Sequence, residues 1–204
     1  MTDRPRRHGN RRAARLFIGL GLALMLAAGA LLGYNLLQSY NAGRAATAAA
    51  AQLAELTPPA EELPLYQRYP DLPMPVVTVD GVDYVGRLEI PDLELTLSVC
   101  NECDLDHLAL APCRYSGSAY KDDLVLAAHN FASHFGLINT LEQGALIIFT
   151  DMDGNEFRYT AEDIEILPPT AVAEMKRSPW DLTLFTCTWG GASRVTVRAA
   201  RIED

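Results

Sequence analysis

Between Leu16 and Gly43 the sequence contains no charged residue at all, and it is short of several other things that would fix a class. Four cysteines in 204 residues are too few to build a disulfide-framed miniprotein. Basic residues number 17 against 26 acids, for a net charge of −9. That balance is the opposite of the basic stripe a nucleic-acid binder presents, so no nucleic-acid partner is expected. Internal repeats are missing, and low complexity is confined to one alanine run. Core-forming residues are not scarce: 49% of the chain is hydrophobic, which excludes disorder throughout. The length suits one modest domain with accessory segments.

The average charge hides a division. Residues 1–15 carry Arg4, Arg6, Arg7, Arg11, Arg12 and Arg15 against Asp3, a net of +5, so the remainder holds −14. Residues 16–37 are then almost wholly Leu, Ala, Gly, Ile, Phe and Met. A bilayer core takes ~20 apolar residues as a helix, and a charge inside it would cost several kcal/mol. A cleaved signal peptide has a shorter apolar stretch, although the alanine-rich stretch after Tyr40 offers small-residue cleavage sites. A buried core helix of this length would show a polar face, and this run has none. Arginines ahead of the span keep the N-terminus in the cytoplasm. The expected layout is a cytoplasmic basic stub (1–15), a transmembrane signal anchor (16–38), a helical stalk and proline-rich linker (39–75), and an extracellular catalytic domain (76–204).

From Val76 onward the signals are those of strands. Two β-rich runs flank Asp80-Gly81, a hairpin signature. Leu93, Leu95, Leu97 and Val99 alternate with polar residues, as a half-buried strand does. LVLAA (124–128) is unbroken apolar sequence, the mark of a strand buried on both faces. ALIIFT, EFRYTAEDIEIL, TLFTC and RVTVRA follow. Two helical patches are expected, in SHFGLINTLEQG, with Ser133 as N-cap and Gly144 as stop, and in TAVAEMKRS. Many short strands with turns between them indicate a sandwich or barrel.

Four histidines and four cysteines are the candidates for chemistry. His8 falls in the basic stub. His129 directly follows the apolar run LVLAA, and Cys187 ends DLTLFT just before the turn Trp189-Gly190-Gly191. Arg194 opens the returning strand, which sets it ~5 Å from Cys187 if the two are directly opposed. A thiol becomes a good nucleophile only as thiolate, and a nearby cation favours that form. With unperturbed pKa values of ~8.5 and ~6.5, a Cys–His pair holds only ~1% as thiolate–imidazolium. An even balance needs ~2.7 kcal/mol, part of which a close guanidinium supplies. Arginine also donates hydrogen bonds to an oxyanion or a substrate carbonyl. Residue by residue, bland readings compete: an inert core cysteine, a satisfied histidine, a solvated arginine.

The segments taken together are more specific. Ala127-Ala128-His129-Asn130, His134-Phe135-Gly136, Thr183-Leu184-Phe185-Thr186-Cys187-Thr188 and Arg194-Val195-Thr196-Val197-Arg198 occur in order. In this they resemble the sortase family, whose signature is a TLxTC motif with a downstream arginine leading a strand. Tyr84–Pro91 and Asp151–Tyr159 support the resemblance, which covers about residues 76–202 and the anchor layout. Ala128 departs from the family's usual glycine before the histidine. The resemblance implies an eight-stranded sortase β-barrel on the outer face of a Gram-positive-type cell, with no cofactor. It implies Cys187 as nucleophile on an LPxTG-like sorting signal, His129 as the acid and base, and Arg194 as orienter of the signal and oxyanion stabiliser, helped by a backbone N–H near Thr188. The thioacyl-enzyme is then resolved by an amine of a cell-wall precursor or a pilin lysine. Most molecules would hold Cys and His neutral. Ala128, Asn130, Thr186, Thr188 and Trp180 are the expected substrate-binding residues. Residues 167–180, with Met175 and Trp180, fall where sortases place the loop covering the signal. His134 takes a structural role at a helix start.

Cys100, Cys103, His107 and Cys113 could form a zinc set, but their spacing is irregular for zinc. A disulfide such as Cys103 with Cys113 suits an extracellular setting better, and free thiols are the third option. The acidic turn 151–156 lacks a calcium-loop pattern and reads as a solvated hairpin tip. Two other functions use the same residues or fold: a thiol peptidase that only hydrolyses, and a membrane-tethered binding module without catalysis.

Overall fold

The computed structural model describes residues 11–60, 64–176 and 179–203; the stub residues Arg4, Arg6, Arg7 and His8 lie outside them. The chain divides into two units, one ending at Gln38 and one running from Ser39. In the first, helix α1 (Arg11–Leu56) leaves its apolar side chains uncovered, Leu16 and Phe17 each 74% exposed and Met25 76%. The helix is long and apolar enough to cross a membrane, with a window of mean hydropathy 2.3.

In the second unit the later turns of α1 bury Ala42, Ala46, Ala50 and Leu53. These positions recur at helical spacing and share one face, and Ala46 and Leu53 join the barrel core. The segment read from sequence as a helical stalk is helical and packs on the barrel through this face. Small side chains permit the close approach: a Cβ on Gly43 would stand 2.4 Å from the Ser133 side chain. The proline-rich arm then wraps the barrel through α2 (Leu65–Arg68), whose Tyr66 stacks on Tyr120 at 4.7 Å.

The strands follow in order: β1 (Val77–Val79), β2 (Val82–Ile90), β3 (Leu95–Cys100), β4 (Cys113–Ser116), β5 (Leu124–Ala127), β6 (Leu146–Asp151), β7 (Glu156–Leu167), β8 (Leu182–Cys187) and β9 (Arg194–Arg201). Two more helices intervene, α3 (Leu105–Leu110) and α4 (Val172–Lys176). The sheet runs β2-β3-β4-β5-β8-β9-β7-β6 and closes when β6 pairs back to β2. This is the expected eight-stranded barrel, with β1 as a flanking hairpin arm. Asp80 (φ 51°) and Gly81 (φ 82°) make the β1–β2 turn, a left-handed pair whose twist suits two-residue hairpins.

Three local readings are corrected. Leu93 belongs to a short 3₁₀ turn, Pro91–Leu93, and β3 starts only at Leu95. SHFGLINTLEQG is not an α-helix: it holds turns and one 3₁₀ turn, Ile138–Thr140. Ser133 does not cap it, because its hydroxyl donates to the Ser39 carbonyl at 2.7 Å. The acidic turn is solvated only in part, at Asp153 and Glu156. Asp151 is fully buried and accepts from the Tyr120 hydroxyl (2.7 Å), the Asn155 amide side chain (2.8 Å) and the backbone N–H groups of Asp153 and Asn155 (both 2.9 Å). Helix α3 and strand β4 had no sequence signal; α4 lies within TAVAEMKRS, whose Arg177 and Ser178 are outside the described residues.

Candidate active site

Alternation along three adjacent strands decides which side chains meet. In β5, Leu124, Leu126 and the following Ala128 join the barrel core, whereas Val125 and Ala127 join a second cluster with Phe185 and Met175. In β8, Leu182 and Leu184 face the core and Phe185 the second cluster. In β9, Val195, Val197 and Ala199 pack on the core. With a period of two, His129, Cys187 and Arg194 all fall on the outer face.

Register then lines them up. β5 and β8 run parallel, with Leu124 opposite Leu182 through Ala127 opposite Phe185. Beyond Ala127 the alignment is held by Ala128 N–H donating to the Phe185 carbonyl at 3.2 Å and the Thr186 hydroxyl donating to the Ala128 carbonyl at 2.8 Å. Continued two residues past the end of β5, the same register brings His129 level with Cys187. On the other side Cys187 is the direct partner of Arg194 in the antiparallel β8–β9 pair. Neighbouring strands lie ~4.8 Å apart, so the three residues line up as a row of positions across the outer wall.

Each member is half-buried. The His129 ring lies 4.9 Å from Phe131, which in turn lies 5.7 Å from His134. Burial pushes the His129 pKa below its ordinary value, so the neutral ring dominates near pH 7. Arg194 donates from Nη1 to the carbonyls of Gly191 (3.1 Å) and Ser193 (3.0 Å). Those bonds fold its stem against the turn and hold the fork in place. Beneath the row, Met175 of α4 is buried against Phe185 and Ala127. Arg198 ties α4 to the strands: it pairs with Glu165 at 2.7 Å and donates to Thr183 Oγ1 (2.9 Å) and the Glu174 carbonyl (3.1 Å). Leu167 is the register partner of Arg194 in β7–β9, so the 168–180 segment departs from beside the row.

The expected substrate-binding residues divide. Asn130 is half-buried next to His129. Ala128 and Thr186 lie on the core face, 6% and 3% exposed, where Thr186 clamps β5 to β8. Thr188 is engaged on both sides: its N–H donates to the Ser193 carbonyl at 3.0 Å, and its hydroxyl accepts from Ser193 N–H at 3.0 Å. That amide is thus committed to the turn. Trp180 precedes β8, at the strand's other end from Cys187; at ~3.3 Å per residue the separation is roughly 20 Å. Sequence reasoning did not single out Phe131 or Trp189. Trp189, two residues after Cys187, is 94% exposed, and an aromatic at a turn tip beside a candidate nucleophile was the available signal.

His134 is fully buried. Desolvation pushes its pKa down to about 4, with the Ala42 backbone opposing. Its setting is the seam between α1 and the 129–138 segment, where the nearby His129 adds to the downward push.

Comparison with known proteins bears on the fold and the family. The family model for the sortase domain matches residues 88–202, more than half of the chain. No curated protein matches it. Among solved structures, sortase C1 from Streptococcus agalactiae superposes with a TM-score of 0.54 at 20% identity, covering 62% of this chain and 72% of that one. A Clostridium perfringens sortase D5 transpeptidase gives 0.52 at 21%, covering 59% and 79%. Clostridium perfringens sortase C, solved with its C-terminal cell wall sorting motif, gives 0.52 at 24%, covering 60% and 72%. With the domain match, the shared barrel and the thiol-bearing wall in place, the chain belongs to the sortase family of cysteine transpeptidases.

Proposed function

We propose that this chain is a membrane-anchored transpeptidase that cleaves an LPxTG-like sorting signal and transfers the acyl part to an amine. The pairing of Cys187 with Arg194, with His129 two residues beyond the Ala127–Phe185 pair of β5 and β8, carries the reading. Cys187 is the nucleophile: its thiolate adds to the threonine carbonyl carbon, giving a tetrahedral oxyanion. Arg194 donates to that oxygen and aligns the peptide; among the described residues, its Nε and Nη2 have no acceptor. Imidazolium His129 gives its proton to the leaving amine as the C–N bond breaks, which leaves a thioester on Cys187. Neutral His129 then takes a proton from the incoming amine, which attacks the thioester and releases the thiolate, restoring the starting ion pair. That amine belongs to a cell-wall precursor or a pilin lysine. The apolar helix residues exposed before Gln38 sit in the cell membrane, and the domain from Ser39 faces outward.

The test uses the chain from Ser39, since Ala46 and Leu53 belong to the core. It is incubated with a library of sorting-motif pentapeptides, with and without hydroxylamine, and followed by mass spectrometry. The expected result is an acyl adduct on Cys187 and hydroxamate product in place of free acid. Product unchanged by hydroxylamine would indicate a peptidase that only hydrolyses. Absence of any adduct, with Cys187 unreactive to thiol labels at neutral pH, would indicate a binding module.

A further inference from the structure

Cys100, Cys103 and Cys113 take no part in the row, and all three are free thiols. Cys100 and Cys113 are partners in the parallel β3–β4 bridge, and both are fully buried. Cys103 is half-buried in the loop before α3, one residue ahead of Asp104, the N-cap whose carboxylate accepts from His107 N–H. Cys103 packs against the buried cluster that contains both Cys100 and Cys113, and the Cys113 thiol donates to the Ala111 carbonyl at 3.3 Å.

We propose that Cys103 and Cys113 form a redox pair whose disulfide staples the α3 loop to β4. Access and geometry choose the pair. Among the three, only Cys103 is open to a reagent, so it is the thiol that reacts first. Cys100 and Cys113 are buried in a directly paired bridge of two strands. Both are pinned by regular pairing, with Cys100 N–H donating to the Pro112 carbonyl at 2.8 Å. Cys103 is on a loop and can close the gap.

The oxidant is a small-molecule or protein disulfide. The Cys103 thiolate attacks one of its sulfurs, forming a mixed disulfide and releasing one thiolate. Cys113 sulfur then attacks the Cys103 sulfur, forming the internal bond and releasing the second. The protons of Cys103 and Cys113 end on the two released thiols, and two electrons have passed to the oxidant. The neighbouring Cys113 thiol, with a smaller contribution from His107, holds the Cys103 thiol below its ordinary range against burial and the Asp104 charge, while its two thiol neighbours and burial push Cys113 up. That ordering suits Cys103 as attacker.

The staple sits close to the chemistry. Cys113 is the register partner of Ala127, two residues before His129. Cys103 and Leu108 pack on the cluster of Ala127, Phe185 and Met175 beneath the row. An oxidising exterior keeps the pair closed, so the inference rests on outward placement of the domain and not on the catalytic roles.

The test takes the full chain in detergent through a series of oxidised-to-reduced glutathione ratios, with alkylation under denaturing conditions and peptide mapping. Two alkylatable thiols, Cys100 and Cys187, should remain after oxidation, with a Cys103–Cys113 cross-linked peptide. The oxidised form should melt ~5–10 °C higher. Cys103→Ser should abolish both effects, and Cys100→Ser should leave the cross-link. Four alkylatable thiols at every ratio, a cross-link through Cys100 or Cys187, or one zinc per chain held by the three thiolates would each overturn the proposal.

Discussion

Cys187 and Arg194 are direct partners at the turn end of the β8–β9 hairpin, so backbone pairing sets the arginine opposite the cysteine. Its Nη1 bonds to the Gly191 and Ser193 carbonyls fix the direction of the fork. Arg194→Ala should lower kcat/KM for a sorting peptide by 100-fold or more, on the order of one lost oxyanion donor. Arg194→Lys, which keeps charge but not the planar fork, should recover only a minor part. Equal turnover by Arg194→Ala and the parent in a fluorogenic peptide assay would remove Arg194 from the mechanism.

Burial lowers the His129 pKa, and the active form requires protonated imidazole with thiolate. The acid limb of the pH–kcat/KM profile reports that lowered value, so activity should persist below ~6.5, the unperturbed imidazole pKa. An acid limb at or above 6.5 would contradict the environment described for the ring.

His134 links pH to folding. Its pKa is depressed to about 4 in the folded chain and returns to ~6.5 on unfolding. The unfolded state therefore binds the extra proton, and stability is whole above pH ~6.5 and declines toward pH ~4. The loss is bounded at about 3 kcal/mol. His129 adds in the same direction. Urea unfolding at stepped pH should show a shallower decline in His134→Phe; an unchanged slope would place the acid sensitivity elsewhere.

Thr186→Val removes the hydroxyl that donates to the Ala128 carbonyl at 2.8 Å while keeping the side chain's volume. Stability should fall by ~1–2 kcal/mol. The register of His129 against Cys187 loosens too, so kcat should drop more than KM rises. A pure stability effect with native kcat would confine Thr186 to packing.

Gly154 is a backbone test for the arm. It sits at φ +84°, and a Cβ there would stand 2.1 Å from the Pro58 carbonyl oxygen. Gly154→Ala should destabilise the domain by ~2–3 kcal/mol, combining left-handed strain with the displaced arm. Thermal melting within 1 °C of the parent would show that the arm yields freely.

What was legible in the sequence was local. Asp80-Gly81 required a left-handed turn whatever surrounds it. The unbroken run 124–128 required burial on both sides, and the structure supplies one cluster on each side of β5. The charge-free segment required a lipid-length helix, and Cys187, His129 and Arg194 stood out by their position at strand ends. What escaped depended on partners distant in the chain. The 133–144 segment has helical composition, yet Ser133 spends its hydroxyl on Ser39, and Gly136 presses against the carbonyls of Asn130 and Phe131. β4 meets β3 through one residue pair, too little to leave a pattern. Trp180 and Cys187 are near neighbours in sequence, but an intervening strand carries them to opposite ends.

The sequence alone determined the residue types, the turns and the alternation that sends each side chain inward or outward, because these follow from the geometry of a few adjacent peptides. Tertiary structure alone decided that β5 runs parallel to β8 in the register that sets His129 level with Cys187, and that α1 covers the barrel with its alanines. Both arise from contacts many residues apart, whose free energy no local stretch of chain contains.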